Sequence, residues 1–267
     1  MKSRPANPSP DDSQSRLAVL IDADNAQPSV IEGLLAEVAK FGVASVKRIY
    51  GDFTSTQQSQ WKKALLKHSI SPVQQFAYTS GKNATDASLI IDAMDLMYTG
   101  RFDGFALVSS DSDFTRLAQR LREEGLTVYG FGERKTPDAF VQACDKFIYT
   151  EVLRAEAPAP APARTPPARK APAHKPAAPP AAAKPAPTPA PIDLLRQAIE
   201  EASDDSGWAK LGGVGNYLNK IRPDFDPRLY GHKKLSDLLR AQPAQFAVEE
   251  RAAPGGSSKT VYVRALR

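Results

Sequence analysis

At 267 residues the chain has room for two ordinary domains, or for one domain with large additions. Its single cysteine, Cys144, excludes a disulfide framework and a thiolate zinc site, and no run of about 18 apolar residues is present to span a membrane. The net charge of +5 suggests a nucleic-acid binder until it is located, because Arg164, Arg169, Lys170, Lys175 and Lys184, against Glu156 alone, supply most of it from one low-complexity stretch.

Met1 to Ser15 is polar and proline-rich and lacks the apolar centre of a secretory signal, so a disordered N-terminus over 1–15 and a reducing, cytoplasmic location are expected. Leu17–Ile21 is a continuous apolar run, the pattern of a strand buried on both faces. Val30–Phe41 carries apolar residues at helical spacing, with Gly42 to stop it. The alternation then repeats, with a strand near Ser45–Tyr50, a helix near Thr56–His68 and a strand near Val73–Tyr78. A helix at Asp86–Tyr98, strand Phe105–Val108, helix Asp113–Glu124, strand Thr127–Phe131, helix Pro137–Cys144 and strand Phe147–Thr150 follow. Such alternation predicts an α/β domain over 16–154: a mainly parallel, Rossmann-like sheet with helices on both faces. Ligands of such sheets sit outside the carboxyl ends of the strands.

Residues 155–191 hold thirteen of the 23 prolines, with alanine making up most of the rest. The stretch has no apolar set to bury and reads as a semi-rigid spacer, reaching at most about 100 Å at roughly 3.1 Å per residue. Beyond it, over 192–267, helices are expected at Ile192–Ala202, Trp208–Ile221 (its start weakened by Gly212, Gly213 and Gly215) and Lys233–Leu239. A turn at Arg222–Pro227 separates the last two, and strands at Gln245–Glu249 and Thr260–Val263 flank a glycine-rich loop. Three helices and a hairpin make a small winged-helix (α+β) domain with just enough core to fold alone.

Carboxylates gather at one sheet edge. The first strand ends in Asp22-Ala23-Asp24-Asn25, the strand at 105–108 ends in Ser109-Ser110-Asp111-Ser112-Asp113, and Asp86 opens a helix after another strand. Two carboxylates about 4 Å apart repel by roughly 4 kcal/mol at an effective dielectric near 20. A cluster therefore calls for a hard divalent cation such as Mg²⁺ or Mn²⁺. For any one of these acids alone, Asp86 or Asp113 for example, a helix cap is the simpler role. Asp92 lies about 240° around the helix from Asp86 and faces away, while Asp95 shares its side and reads as solvated surface. His68 and His174 are poorly placed for a nucleophilic triad.

The strings Leu20-Ile21-Asp22-Ala23-Asp24-Asn25, Lys82-Asn83-Ala84-Thr85-Asp86 and Ser109-Ser110-Asp111-Ser112-Asp113-Phe114 resemble the NYN domain, a PIN-like nuclease family. That resemblance implies a Mg²⁺- or Mn²⁺-dependent ribonuclease with Asp22, Asp86, Asp111 and Asp113 as metal-binding acids. It also implies that Asn25 orients a metal ligand or touches substrate, and that Lys82 contacts RNA. Ser110 departs from the glycine usual in this turn. A haloacid-dehalogenase-like phosphatase also carries Asp-x-Asp after its first strand, but Asn25 and Ala26 stand where that family places its Thr or Val. A domain that binds RNA or protein without cutting is the other alternative.

In the last third, Gly207-Trp208, Asp224-Phe225-Asp226-Pro227-Arg228-Leu229-Tyr230-Gly231 and Lys234-Leu235-Ser236-Asp237-Leu238-Leu239 resemble the LOTUS or OST-HTH domain. The resemblance implies RNA binding, G-rich RNA included, and leaves a protein-docking role open. Tyr230 offers a stacking face, with a place in the core as the alternative. Lys233 and Lys234 offer phosphate contacts, with a merely solvated face as the alternative.

Overall fold

A computed structural model describes residues 14–54, 60–76, 84–153, 189–252 and 259–266. Six strands form the larger sheet: β1 (Arg16–Asp22), β2 (Val43–Gly51), β3 (Ser71–Gln74), β4 (Gly104–Val108), β5 (Thr127–Gly132) and β6 (Lys146–Tyr149). They run in the order β3-β2-β1-β4-β5-β6 with every neighbouring pair parallel. Successive side chains of a strand point to opposite faces, so a continuous apolar strand feeds two cores. Leu17, Val19 and Ile21 of β1 join one core with helices α1 (Ile31–Val38) and α2 (Trp61–His68). Ala18 and Leu20 join the other, with α3 (Ala84–Tyr98), α4 (Thr115–Glu123) and α5 (Asp138–Ala143).

From β1 the chain winds outward to β2 and β3, then crosses back to β4 on the other side of β1 and winds outward to β5 and β6. The β1/β4 junction is thus the switch point of a doubly wound sheet, where loops diverge and leave a crevice.

The smaller unit packs α6 (Ile192–Ala202), α7 (Leu211–Ile221) and α8 (Leu235–Arg240) on an antiparallel sheet of β7 (Ala209–Lys210), β8 (Phe246–Ala252) and β9 (Lys259–Ala265), ordered β7-β9-β8. Leu195, Ile199, Val214, Leu218, Leu238, Leu239, Phe246 and Val263 are its buried centre. No helix among the described residues is long and apolar enough to cross a membrane.

Several elements differ from the sequence expectation for identifiable reasons. β3 starts two residues early and ends at Gln74, because its register pairs Gln74 with Gly51, the last residue of β2. Its Pro72 is tolerated since β3 is an edge strand. The expected helix at Trp208–Ile221 begins only at Leu211, because Ala209 and Lys210 pair with Val263 and Tyr262 as a third strand. The three glycines then fall inside α7, which Val214 and Leu218 anchor in the core despite a cost near 1 kcal/mol per glycine. The helix expected from Asp113 opens as a 3-10 turn at Ser112–Phe114. Gly42, expected as a helix stop, lies beyond the end of α1; a Cβ there would fall 2.1 Å from the Ser15 carbonyl oxygen. The loop at 253–258 and the helix start expected at 56–59 lie outside the described residues. Cys144 is a free thiol, fully buried after α5, with Sγ donating to the Phe140 carbonyl at 3.4 Å.

Helix α1 seats closely on the turn after β6. A Cβ on Gly33 would stand 2.3 Å from the Leu153 carbonyl oxygen, which belongs to the backbone and has little freedom to retreat. Gly33→Ala gains helix propensity yet overpacks this contact. Urea denaturation should show a net loss of about 1–3 kcal/mol.

Candidate metal centre at the sheet switch point

The carboxyl ends of β1 and β4 lie side by side and are joined by a hydroxyl. Ser109 Oγ donates to Asp22 Oδ2 at 2.8 Å and accepts the Asp111 N–H at 3.1 Å. A serine at this position is the simplest group that donates to one strand end while accepting from the next. In the sequence, Ser109 signals this role only as a small hydroxyl residue just ahead of an acid pair at a strand end.

Asp22 is fully buried. Its Oδ2 also accepts Asn25 Nδ2 at 2.7 Å, and its Oδ1 accepts the Asp24 N–H at 3.0 Å. Burial pushes its carboxyl above the ordinary range, and the bonds from Ser109, Asn25 and the Asp24 backbone offset only part of that. Asn25 thus holds an acid in place.

Asp111 is the N-cap of the 3-10 turn, with Oδ1 accepting the Asp113 N–H at 2.9 Å. The capping role falls to Asp111 rather than to Asp113 or Asp86. Asp86 lies in the first turn of α3. One carboxylate oxygen from each of Asp86, Asp111 and Asp113 lies within 4.8 Å of the others. Asp86 is pushed up to about 6, first by burial and then by the charges of Asp22, Asp111, Asp113 and Asp24. Asp22 therefore acts on the group electrically while standing outside the set of three.

The donor set fits a hard cation. Magnesium–oxygen bonds of about 2.0–2.1 Å place ligand oxygens roughly 3–4 Å apart around one ion, close to the spread of these three. Asp86 and Asp111 are half-buried and Asp113 is exposed, which leaves the site open on one side for water or phosphate oxygens.

Other acids on the same elements are committed elsewhere. Asp92 pairs with Arg48 and accepts the Tyr50 hydroxyl on the far side of α3, and Asp95 is exposed. Asp52, at the end of β2, accepts Gln74 Nε2 at 2.8 Å. Ser110 is buried, and its Oγ accepts the Glu133 N–H at 2.8 Å, fastening the loop after β5 to the end of β4.

On the C-terminal unit, Tyr230 is half-buried and packs against Phe225 with ring centroids 5.8 Å apart. Lys233 and Lys234 are exposed in the bend before α8, a helix of only six residues. Lys82 lies outside the described residues. The β8–β9 hairpin also carries a stack that the sequence does not announce. The Arg251 guanidinium lies 4.5 Å from the Trp208 ring centroid and 4.7 Å from that of Tyr262. Arg251 sits on β8 and Tyr262 on β9, diagonally across the ladder, a proximity visible only once the strand register is known.

The family model of the NYN domain matches residues 16–152, and that of the OST-HTH/LOTUS domain matches 185–257. Among solved structures, the chain is similar to an uncharacterized protein from Nitrosomonas europaea, with 50% identity over 35% of this chain and 90% of that one, TM-score 0.29. It is also similar to a protein of unknown function from Vibrio parahaemolyticus, with 20% identity over 52% and 94%, TM-score 0.44. A third likeness is to a 175–257 fragment of a protein from Chromobacterium violaceum, with 39% identity over 28% and 77%, TM-score 0.23. No protein of curated function matches.

The raised Asp86 carboxyl has a stability signature. The native state holds this proton more tightly than the unfolded chain, so the contribution of Asp86 to stability falls as pH rises from about 4 through about 6. In EDTA, Asp86→Asn should raise the melting temperature at about pH 7.5 and change it little at about pH 3, where the carboxyl is neutral in both the folded and the unfolded chain. Thermal melts at the two pH values measure this, and an equal shift at both would contradict it.

Proposed function

Because the chain belongs to the NYN domain family, whose fold is that of PIN-like nucleases, we propose that it is a Mg²⁺- or Mn²⁺-dependent ribonuclease that takes its RNA from the OST-HTH/LOTUS domain. The observation that carries this reading is the convergence of Asp86, Asp111 and Asp113 at the switch point, with Asp86 already shifted by its neighbours' charges. These three residues would hold the ion; Asp22 adds negative charge behind them, and Ser109 and Asn25 keep it oriented. When bound there, the ion would supply an acidified water and offset charge on the phosphate. The open side at Asp113 admits a phosphodiester, and the half-buried Asp86 keeps the electrostatics strong.

The phosphatase alternative asks Asp22 to attack as a nucleophile. Its burial and three hydrogen bonds argue against that role. A non-cutting RNA binder has no need of three mutually repelling acids. Charge along the chain supports division of labour: residues 16–154 carry 16 basic and 17 acidic residues, and 192–267 carry 12 and 10. We assign RNA capture to Lys233, Lys234 and the Trp208–Arg251–Tyr262 stack, whose aromatic and guanidinium planes suit bases. The single thiol suits a reducing, cytoplasmic setting.

Purified full-length protein should cut mixed single-stranded and structured RNA in Mg²⁺ or Mn²⁺ and stop in EDTA. Asp111→Asn or Asp22→Asn should each abolish cleavage, and the double variant should cost little more than either, since the acids act as a unit. Cleavage surviving in EDTA would sink the reading, as would hydrolysis of small phosphomonoesters with RNA left intact. Lys233→Ala with Lys234→Ala should weaken RNA binding and lower the salt slope by about two, read by titration at several salt concentrations.

A further inference from the structure

Strand β6 ends the larger sheet, so one row of its backbone groups faces away from every other strand. On that row the Phe147 N–H donates to the Pro223 carbonyl at 2.9 Å. Two residues on, the Tyr149 hydroxyl donates to Asp224 Oδ2 at 3.1 Å. Arg228 reaches α1, with Nη1 3.0 Å from Glu37 Oε2 and Nη2 3.3 Å from Oε1. The same guanidinium holds Asp226 through Nε and Nη2, and Arg222 grips Asp224 with two bonds of 3.0 and 3.1 Å.

The C-terminal partners in these bonds, Pro223, Asp224 and Arg228, fall within Arg222–Arg228. Glu37 is only 6% exposed, and Asp224 and Asp226 are 8% exposed. Carboxylates are covered this deeply only when they are paired. Burial alone would raise the Glu37 carboxyl, but hydrogen bonds from Lys40 and Arg228, with their charges, hold it below the usual range.

We propose that residues 222–228 are an intramolecular latch that fixes the C-terminal RNA-binding unit on β6 and α1 of its own chain in one orientation. A contact made of buried charges is selective for register, because any other placement costs Glu37 its Arg228 bonds and Asp224 its Tyr149 bond, leaving each with its local partner alone, Lys40 or Arg222. Arginine suits the position, since its planar fork serves Glu37 and Asp226 together. The latch also covers a bare sheet edge that would otherwise invite another strand.

The chain between Leu153 and Pro189 is long enough at full extension to permit this docking without imposing it. It keeps the two surfaces at an effective concentration on the order of millimolar, so the cis contact prevails over a second copy at micromolar protein.

Small-angle X-ray scattering on the full chain, with protease cleavage within 155–191 as a second readout, tests the latch without reference to catalysis. Wild type should scatter as one compact body of single-chain mass. Glu37→Arg, which reverses charge on the sheet side alone, and Arg228→Glu should each raise the radius of gyration by on the order of 5 Å and speed linker cleavage severalfold. A wild-type curve of two separated bodies would overturn the proposal, as would a two-chain mass, which assigns the contact to a second copy. Glu37→Arg remaining as compact as wild type would also overturn it, even if Arg228→Glu loosens the C-terminal unit itself.

Discussion

Bringing three carboxylates within 4.8 Å works against the fold, since each resists its neighbours' charge and the half-buried Asp86 and Asp111 also lose water. The chain meets that resistance with stiffness. Asp111 is pinned as a cap, Asp86 rides the first turn of a 15-residue helix, and the Ser109 hydroxyl ties the ends of the two central strands together. Those strands are in turn fixed by side chains that fill cores on both faces of the sheet. The electrostatic tension is local and the resistance to it is spread over the domain, the arrangement expected of a site organised before its ligand arrives.

The same balance recurs at the boundary with the C-terminal unit. Glu37 follows Ala36 on α1 and looks like an ordinary solvated position of an amphipathic helix. It is nonetheless buried, and its charge is met by Lys40 one turn on and by Arg228 nearly two hundred positions away. In both places the molecule keeps a costly charge and surrounds it with complementary groups. At the first the complement we propose is a cation from outside the chain; at the second the chain supplies it.

The strand–helix alternation was legible because β1 and β4 are unbroken apolar runs, a pattern that admits few other structures. The acids were legible for a related reason, since a strand that ends in Asp delivers it to the same edge as every parallel neighbour. What the sequence concealed depends on register and docking. Ala209 and Lys210 carry no strand signal of their own and become β7 only because Val263 and Tyr262 lie opposite. The Trp208–Arg251–Tyr262 stack requires knowing how β8 meets β9. The double use of Ser109 is a matter of a single rotamer. The separation of Asp22 from the other three acids likewise turns on where the carboxylate oxygens come to lie in space, a distinction that spacing along a chain does not contain.

Cys144 gives the molecule a built-in reporter. It is the sole thiol, it is sealed beneath α5, and burial holds it well above the ordinary thiol range, so the folded protein presents no thiolate to an alkylating reagent. A reagent can reach it only in molecules where the α5–β6 corner has opened. The rate of alkylation therefore counts those openings one by one under native conditions. That corner joins the core shared with the acidic centre to the strand that receives Pro223. Whatever is bound at either place that steadies the corner would slow the labelling, and ligand occupancy becomes readable as a change in one bond-forming rate.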